Sequence, residues 1–81
     1  MKVSVKVFPI AGLCDRRQEL ELALEGGSMG ELEALLFERL GAAPKTKAFT
    51  FLLNGRGVGK RESVVLRDGD NLWLLPQISG G

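Results

Sequence analysis

Val3, Val5 and Val7 alternate with Ser4, Lys6 and Phe8 over residues 2–8, the period-two pattern of a strand with one buried face. Residues 9–17 include Pro9, Gly12 and Asp15 and read as a connection. Over residues 19–25 the alternation returns, with Leu20, Leu22 and Leu24 inward and Glu19, Glu21 and Glu25 toward water. The two segments predict an antiparallel hairpin with a long loop. Gly26-Gly27 then breaks the period. Ser28, with Glu31 three residues on, matches a capping box, and Leu32, Leu35, Leu36 and Leu40 follow at helical spacing. Glu31, Glu33, Glu38 and Arg39 supply the wet face. Gly41 suits the left-handed residue that closes a helix, and Pro44 opposes a restart, so the spacing predicts a helix over Met29–Leu40.

Beyond the helix, residues 48–53 read as an apolar strand, with Phe49, Phe51 and Leu53 on one face and Thr50 and Leu52 on the other. Asn54-Gly55 is a tight-turn dipeptide, and a Gly-rich basic stretch runs to about Arg61. Residues 62–66 suggest a short strand. Asp68-Gly69-Asp70 turns the chain into a last strand over residues 71–75, which Pro76 should end because it has no N–H for a ladder. The order of elements is α+β, one helix laid on a sheet. A helix this short is marginal alone and needs the sheet to bury its leucines.

Eighty-one residues allow one domain with a modest core, and an apolar fraction of 44% is ordinary for a globular chain. Eleven Lys and Arg nearly cancel ten Asp and Glu, which removes the electrostatic case for nucleic acid. No apolar run is long enough for a helical membrane span, and the alternating N-terminal segment is unlike an export signal. One cysteine, Cys14, allows no internal disulfide, so a cytoplasmic location is expected. Histidine and tyrosine are absent. A lone cysteine without histidine lacks the usual nucleophile–base pair and is a poor start on a zinc site, so neither side-chain catalysis nor a bound metal is expected.

The distinctive segment is Leu75-Pro76-Gln77-Ile78-Ser79-Gly80-Gly81. A domain can simply end in glycines, but this pair follows directly on a buried strand. Together with Asn54-Gly55 after the third strand and Leu66-Arg67-Asp68-Gly69-Asp70 before the last, the chain resembles the MoaD/ThiS family of ubiquitin-like sulfur carriers, and within it the molybdopterin synthase small-subunit branch. The resemblance spans the chain. Its N-terminal third matches in pattern only.

The resemblance implies a β-grasp fold with the first and last strands parallel at the sheet centre: a domain over residues 1–75 and a flexible tail over 76–81. It also implies the chemistry. An E1-like partner, using ATP and magnesium, adenylates the Gly81 carboxylate, and sulfur then replaces AMP to leave a thiocarboxylate. Gly80 and Gly81 are the reacting end, and this chain itself binds no cofactor. The acceptor is a large partner subunit such as that of molybdopterin synthase. A thiazole-pathway or other sulfur carrier, and a protein modifier conjugated through the same glycine, are alternatives. Glycines without Cβ atoms let the tail thread a narrow pocket, and Pro76 stiffens its base.

In a β-grasp sheet, strand parity places Phe8, Leu52, Trp73 and Leu75 on the face away from the helix, as a partner-binding patch that Pro76, Ile78 and Ser79 extend toward the terminus. A one-residue shift would instead bury Trp73. Other signals point less far. In Gly55-Arg56-Gly57-Val58-Gly59-Lys60-Arg61 the spacing is one short of a phosphate-binding loop, with Arg61 where Ser or Thr should stand. Cys14 has neither a histidine nor a helix N-terminus to activate it and reads as an ordinary loop cysteine. Lys45, Lys47, Arg56, Lys60, Arg61 and Arg67 make a basic middle region suited at most to weak electrostatic docking.

Overall fold

A computed structural model describes residues 1–43 and 49–77. The predicted 62–66 strand is the main departure from expectation, and it follows from how the sheet is built. Strands β1 (Lys2–Val7), β2 (Gln18–Ala23), β3 (Phe49–Leu53), β4 (Arg56–Gly57) and β5 (Asn71–Pro76) form one sheet in the order β2-β1-β5-β3-β4. β1 and β5 are parallel and central, and the other pairs are antiparallel. Helix α1 (Met29–Leu40) covers one face. This is the expected β-grasp layout.

Alternation along each strand sends Val3, Val5, Val7, Leu22, Phe49, Phe51, Leu72 and Leu74 into one core with Met29, Leu32 and Leu36 of α1. Leu24, just beyond β2, joins them, while Leu20 and Leu53 are half-buried. The connection between β1 and β2 is more than a linker. Gly12 takes φ 83°, Ile10 and Cys14 form an isolated bridge, and Ile10 and Leu13 are buried.

The ends of α1 follow from local chemistry. Ser28 Oγ accepts from Glu31 N at 3.1 Å. The Glu31 carboxylate, expected in water, instead accepts from Glu25 N (2.7 Å) and Gly26 N (2.8 Å), tying the helix to the end of β2. At the other end Gly41 is left-handed (φ 72°) and its N–H closes on Phe37 O and Glu38 O. Pro44 and Ala48 lie outside the described residues.

Residues 62–66 are not a strand. A 3₁₀ turn, Arg61–Ser63, is followed by an extended segment whose Leu66 N donates to Gly27 O at 2.8 Å. Its alternation is real, with Val64 half-buried, Val65 exposed and Leu66 buried, but the segment lies against the loop that enters α1 rather than along a strand. The fourth strand is the two-residue Arg56–Gly57, set by Asn54 (φ 51°) and Gly55 (φ 86°), both left-handed as a two-residue hairpin turn requires. Pairing in β5 also runs one residue further than expected: Pro76 lies opposite Phe49 as the last residue of the ladder, where a missing N–H matters least.

Candidate functional site

Because β1 and β5 are parallel and adjacent, their C-terminal ends lie at one edge of the molecule. Phe8, just past β1, therefore sits beside the end of β5, from which the chain runs on toward Gly80-Gly81. Phe8 N donates to Leu74 O at 2.9 Å and fixes this juxtaposition. At the opposite pole, Asp68 Oδ1 accepts from Lys2 N (2.7 Å), Gly69 N donates to Lys2 O (2.8 Å), and Asp70 Oδ2 accepts from Arg67 N (2.8 Å). Asn54 Nδ2 donates to Asp70 Oδ1 (3.1 Å), and Asn54 Oδ1 accepts from Asn71 N (3.0 Å). The Asn-Gly and Asp-Gly-Asp turns thus meet in one hydrogen-bonded cluster that sets the start of β5, and with it the position of the strand's far end.

The face away from α1 carries the residues that parity assigned to it. Leu52 lies opposite Trp73, and Thr50 opposite Leu75, in the β3–β5 ladder. Trp73 is 42% exposed, whereas Leu72 and Leu74 on either side are fully buried. The Phe8 and Trp73 rings pack with centroids 5.4 Å apart, tilted by 51°. Phe8, Leu52 and Leu75 are half-buried and Pro76 is exposed. The structure therefore gathers Phe8, Leu52, Trp73, Leu75 and Pro76 on and beside one face. Ile78, Ser79, Gly80 and Gly81 lie outside the described residues, as do Lys45 and Lys47.

Two features of this region escaped sequence reasoning. A groove of about 660 Å³ at the end of β5 is lined by Phe8, Pro9, Phe49, Thr50, Leu75, Pro76 and Gln77. Pro9, Thr50 and Gln77 carry no recognisable signal and become neighbours only through the topology. Lys6 is the second. It lies opposite Trp73 in the β1–β5 register, with Nζ 5.2 Å from the ring centroid. Parity and the parallel pairing together would have found it.

The remaining candidates lie elsewhere. Cys14 is half-buried, and its Sγ donates to Phe8 O at 3.5 Å. Arg61 sits where its guanidinium bonds Glu33 Oε1 (3.1 Å) and lies 4.7 Å from the Phe49 ring centroid, fastening the 3₁₀ turn to α1 and the core. Arg56, Lys60 and Arg67 are exposed. Among the described residues, no cluster of His, Cys, Asp and Glu is placed to hold a metal ion, and no helix is long and apolar enough to cross a membrane.

No protein-family model and no curated protein matches the chain. Solved structures do. SAMP1 from Haloferax volcanii superimposes with TM-score 0.74 over 100% of both chains at 19% identity. A chain from the complex of subunits 1 and 2 of Molybdopterin-converting factor from Helicobacter pylori 26695 gives 0.67, again over 100% of both, at 26% identity. A ubiquitin-like protein from the archaeon Caldiarchaeum subterraneum gives 0.53 over 99% of this chain and 100% of its own, at 20% identity. The fold is the ubiquitin-like β-grasp, and the neighbours agree with the MoaD/ThiS-like carrier resemblance found in the sequence.

Proposed function

We propose that this ubiquitin-like chain is a sulfur carrier whose working group is the Gly81 carboxylate, with molybdopterin biosynthesis as the favoured destination of the sulfur. The observation that carries the reading is the course of β5. It is anchored between β1 and β3 and delivers Pro76 and Gln77 beside the exposed Phe8–Trp73 face, four residues short of Gly81. A fixed base and a slender end suit a group that must enter another protein's active site. The full-length likeness to a molybdopterin-converting factor chain supports the choice of pathway.

The chemistry assigns little to this chain's side chains. A carboxylate is a poor electrophile. Attack of the Gly81 carboxylate oxygen on the α-phosphorus of ATP, in an E1-like partner, displaces pyrophosphate and leaves an acyl adenylate. Hydrosulfide-level sulfur then attacks the acyl carbon, AMP departs with the C–O bond electrons, and loss of the proton leaves the thiocarboxylate. In an acceptor enzyme, such as a molybdopterin synthase large subunit, the sulfur attacks the acceptor, and water then cleaves its bond to the acyl carbon, leaving the sulfur on the acceptor and restoring the carboxylate. Gly80 and Gly81 contribute narrowness and conformational freedom. The outer-face residues contribute docking, and the partners contribute catalysis, ATP and magnesium.

A second reading, a protein modifier conjugated to lysines through the same glycine, draws on the likeness to an archaeal ubiquitin-like protein. ATP–pyrophosphate exchange with the cognate activating enzyme tests what both share. Deleting Gly81 should abolish exchange while leaving the thermal melt in place. Normal exchange by the truncated chain would refute both.

A further inference from the structure

Two lysines on the outer face of β1 form ion pairs across to β2, Lys6 with the residue directly opposite and Lys2 diagonally, and their surroundings differ. Lys2 Nζ lies 3.5 Å from Glu21 Oε1, and its side chain is 73% exposed. Lys6 Nζ lies 3.6 Å from Glu19 Oε1, but its side chain is only 30% exposed. The partner carboxylates are similarly open, at 63% and 68%. Trp73 lies directly opposite Lys6 in the β1–β5 register, with the ammonium 5.2 Å from the indole centroid, whereas Lys2 has no β5 residue opposite it.

We infer that Lys6, held by Glu19, is a positioning residue that fixes the Trp73 ring in its docking pose. The inference rests on the docking role proposed above for this face. Lys6 and Phe8 stand two residues apart on the same side of β1, so the indole meets an ammonium at one and a phenyl ring, 5.4 Å between centroids, at the other. An aromatic side chain at 42% exposure would otherwise sample several rotamers. Each one lost on docking weakens association, so a ring already held in place binds with less to order. Cation–π attraction supplies the hold because the indole face is the negative pole of the ring quadrupole. The Glu19 carboxylate keeps the ammonium from swinging into solvent. By itself that ion pair, long and exposed, adds little to stability; its role is geometric. The Lys2–Glu21 pair, with no aromatic ring opposite it in the ladder, has no such role.

The test is direct because Trp73 is the only tryptophan and there is no tyrosine, so emission reports on this ring alone. Lys6→Met keeps most of the aliphatic stem and removes the charge, whereas Lys6→Arg keeps the charge. In the free protein, Lys6→Met should shift Trp73 emission and raise its quenching by acrylamide, with the thermal melt unchanged and Lys6→Arg close to wild type. Affinity for the cognate activating enzyme should fall about two- to fivefold in Lys6→Met, the scale of an exposed cation–π contact, and be recovered in Lys6→Arg. Unchanged emission and quenching in Lys6→Met would overturn the inference. A moved spectrum with unchanged affinity would overturn it equally, since the pose would then be irrelevant to docking. Normal binding by Trp73→Glu would refute the docking reading itself, separately from the role of Lys6.

Discussion

Phe8, the residue after β1, and Trp73 of the parallel neighbouring strand β5 pack ring to ring with centroids 5.4 Å apart on the sheet face that α1 leaves open. Their neighbours in sequence, Val7 on one strand and Leu72 and Leu74 on the other, are completely buried on the opposite face. The chain therefore keeps this aromatic pair on the outer face while Phe49 and Phe51 join the aliphatic side chains of the core. Such an arrangement at the base of a Gly-Gly terminus is economical if the pair meets a partner.

Trp73→Glu and Leu75→Glu should weaken binding to the activating enzyme or acceptor subunit at least tenfold with little change in melting temperature, because an apolar anchor at an interface centre contributes about 2 kcal/mol or more. Leu74→Ala should do the reverse, costing about 2–5 kcal/mol of stability in a denaturant titration. Unfolding of Trp73→Glu would show that the ring is structural.

Glycine-to-alanine exchanges should have opposite signs at two nearby positions. A Cβ on Gly27 would stand 2.8 Å from Leu66 O, in the very segment whose N–H bonds back to Gly27 O. Gly27→Ala should therefore destabilise by about 1–3 kcal/mol through overpacking. A Cβ on Gly30, in the first turn of α1, meets nothing within 4 Å. Gly30→Ala should stabilise by about 0.5–1 kcal/mol, read from the same denaturation midpoints.

The helix was legible because its end signals are local. Ser28, Glu31 and Gly41 act within a few residues of themselves, and Met29–Leu40 follows from them. The parity of the strands was legible for the same reason. Residues 62–66 misled because alternation reports one-sided burial, not the identity of what lies alongside. Val64 and Leu66 turn inward as they would in a ladder, but the Leu66 N–H bonds Gly27 O in the loop that enters α1. Arg56–Gly57 was invisible because two residues carry no period, and only the turn before them places them against β3. The outer-face patch could be read once the parallel pairing of β1 with β5 was supplied by the family resemblance, while the groove at Pro9, Thr50 and Gln77 depends on three segments meeting in space.

Ser28→Ala and Glu31→Ala should each cost about 1 kcal/mol, and the double variant less than their sum, because Ser28 caps the Glu31 N–H while the Glu31 carboxylate caps Glu25 and Gly26. A double-mutant cycle on thermal or chemical melts checks the coupling. Strict additivity would show that the two caps act independently.

Cys14→Ala should leave sulfur loading unchanged in a reconstituted system with activating enzyme and sulfur donor. The thiol is half-buried and turned to the Phe8 carbonyl, within the β1–β2 loop. Loss of loading with an unchanged melt would make the thiol a relay in sulfur transfer.

Conversion of the terminal carboxylate is read most directly from the mass of the C-terminal peptide of protein isolated from its native cell. A fraction ending at Gly81 should carry the mass increase of one oxygen replaced by sulfur, and that fraction should disappear when the activating enzyme is deleted. A terminus found only as free carboxylate in cells making the activating enzyme would contradict the carrier reading, as would a terminus recovered only as isopeptide adducts on lysine.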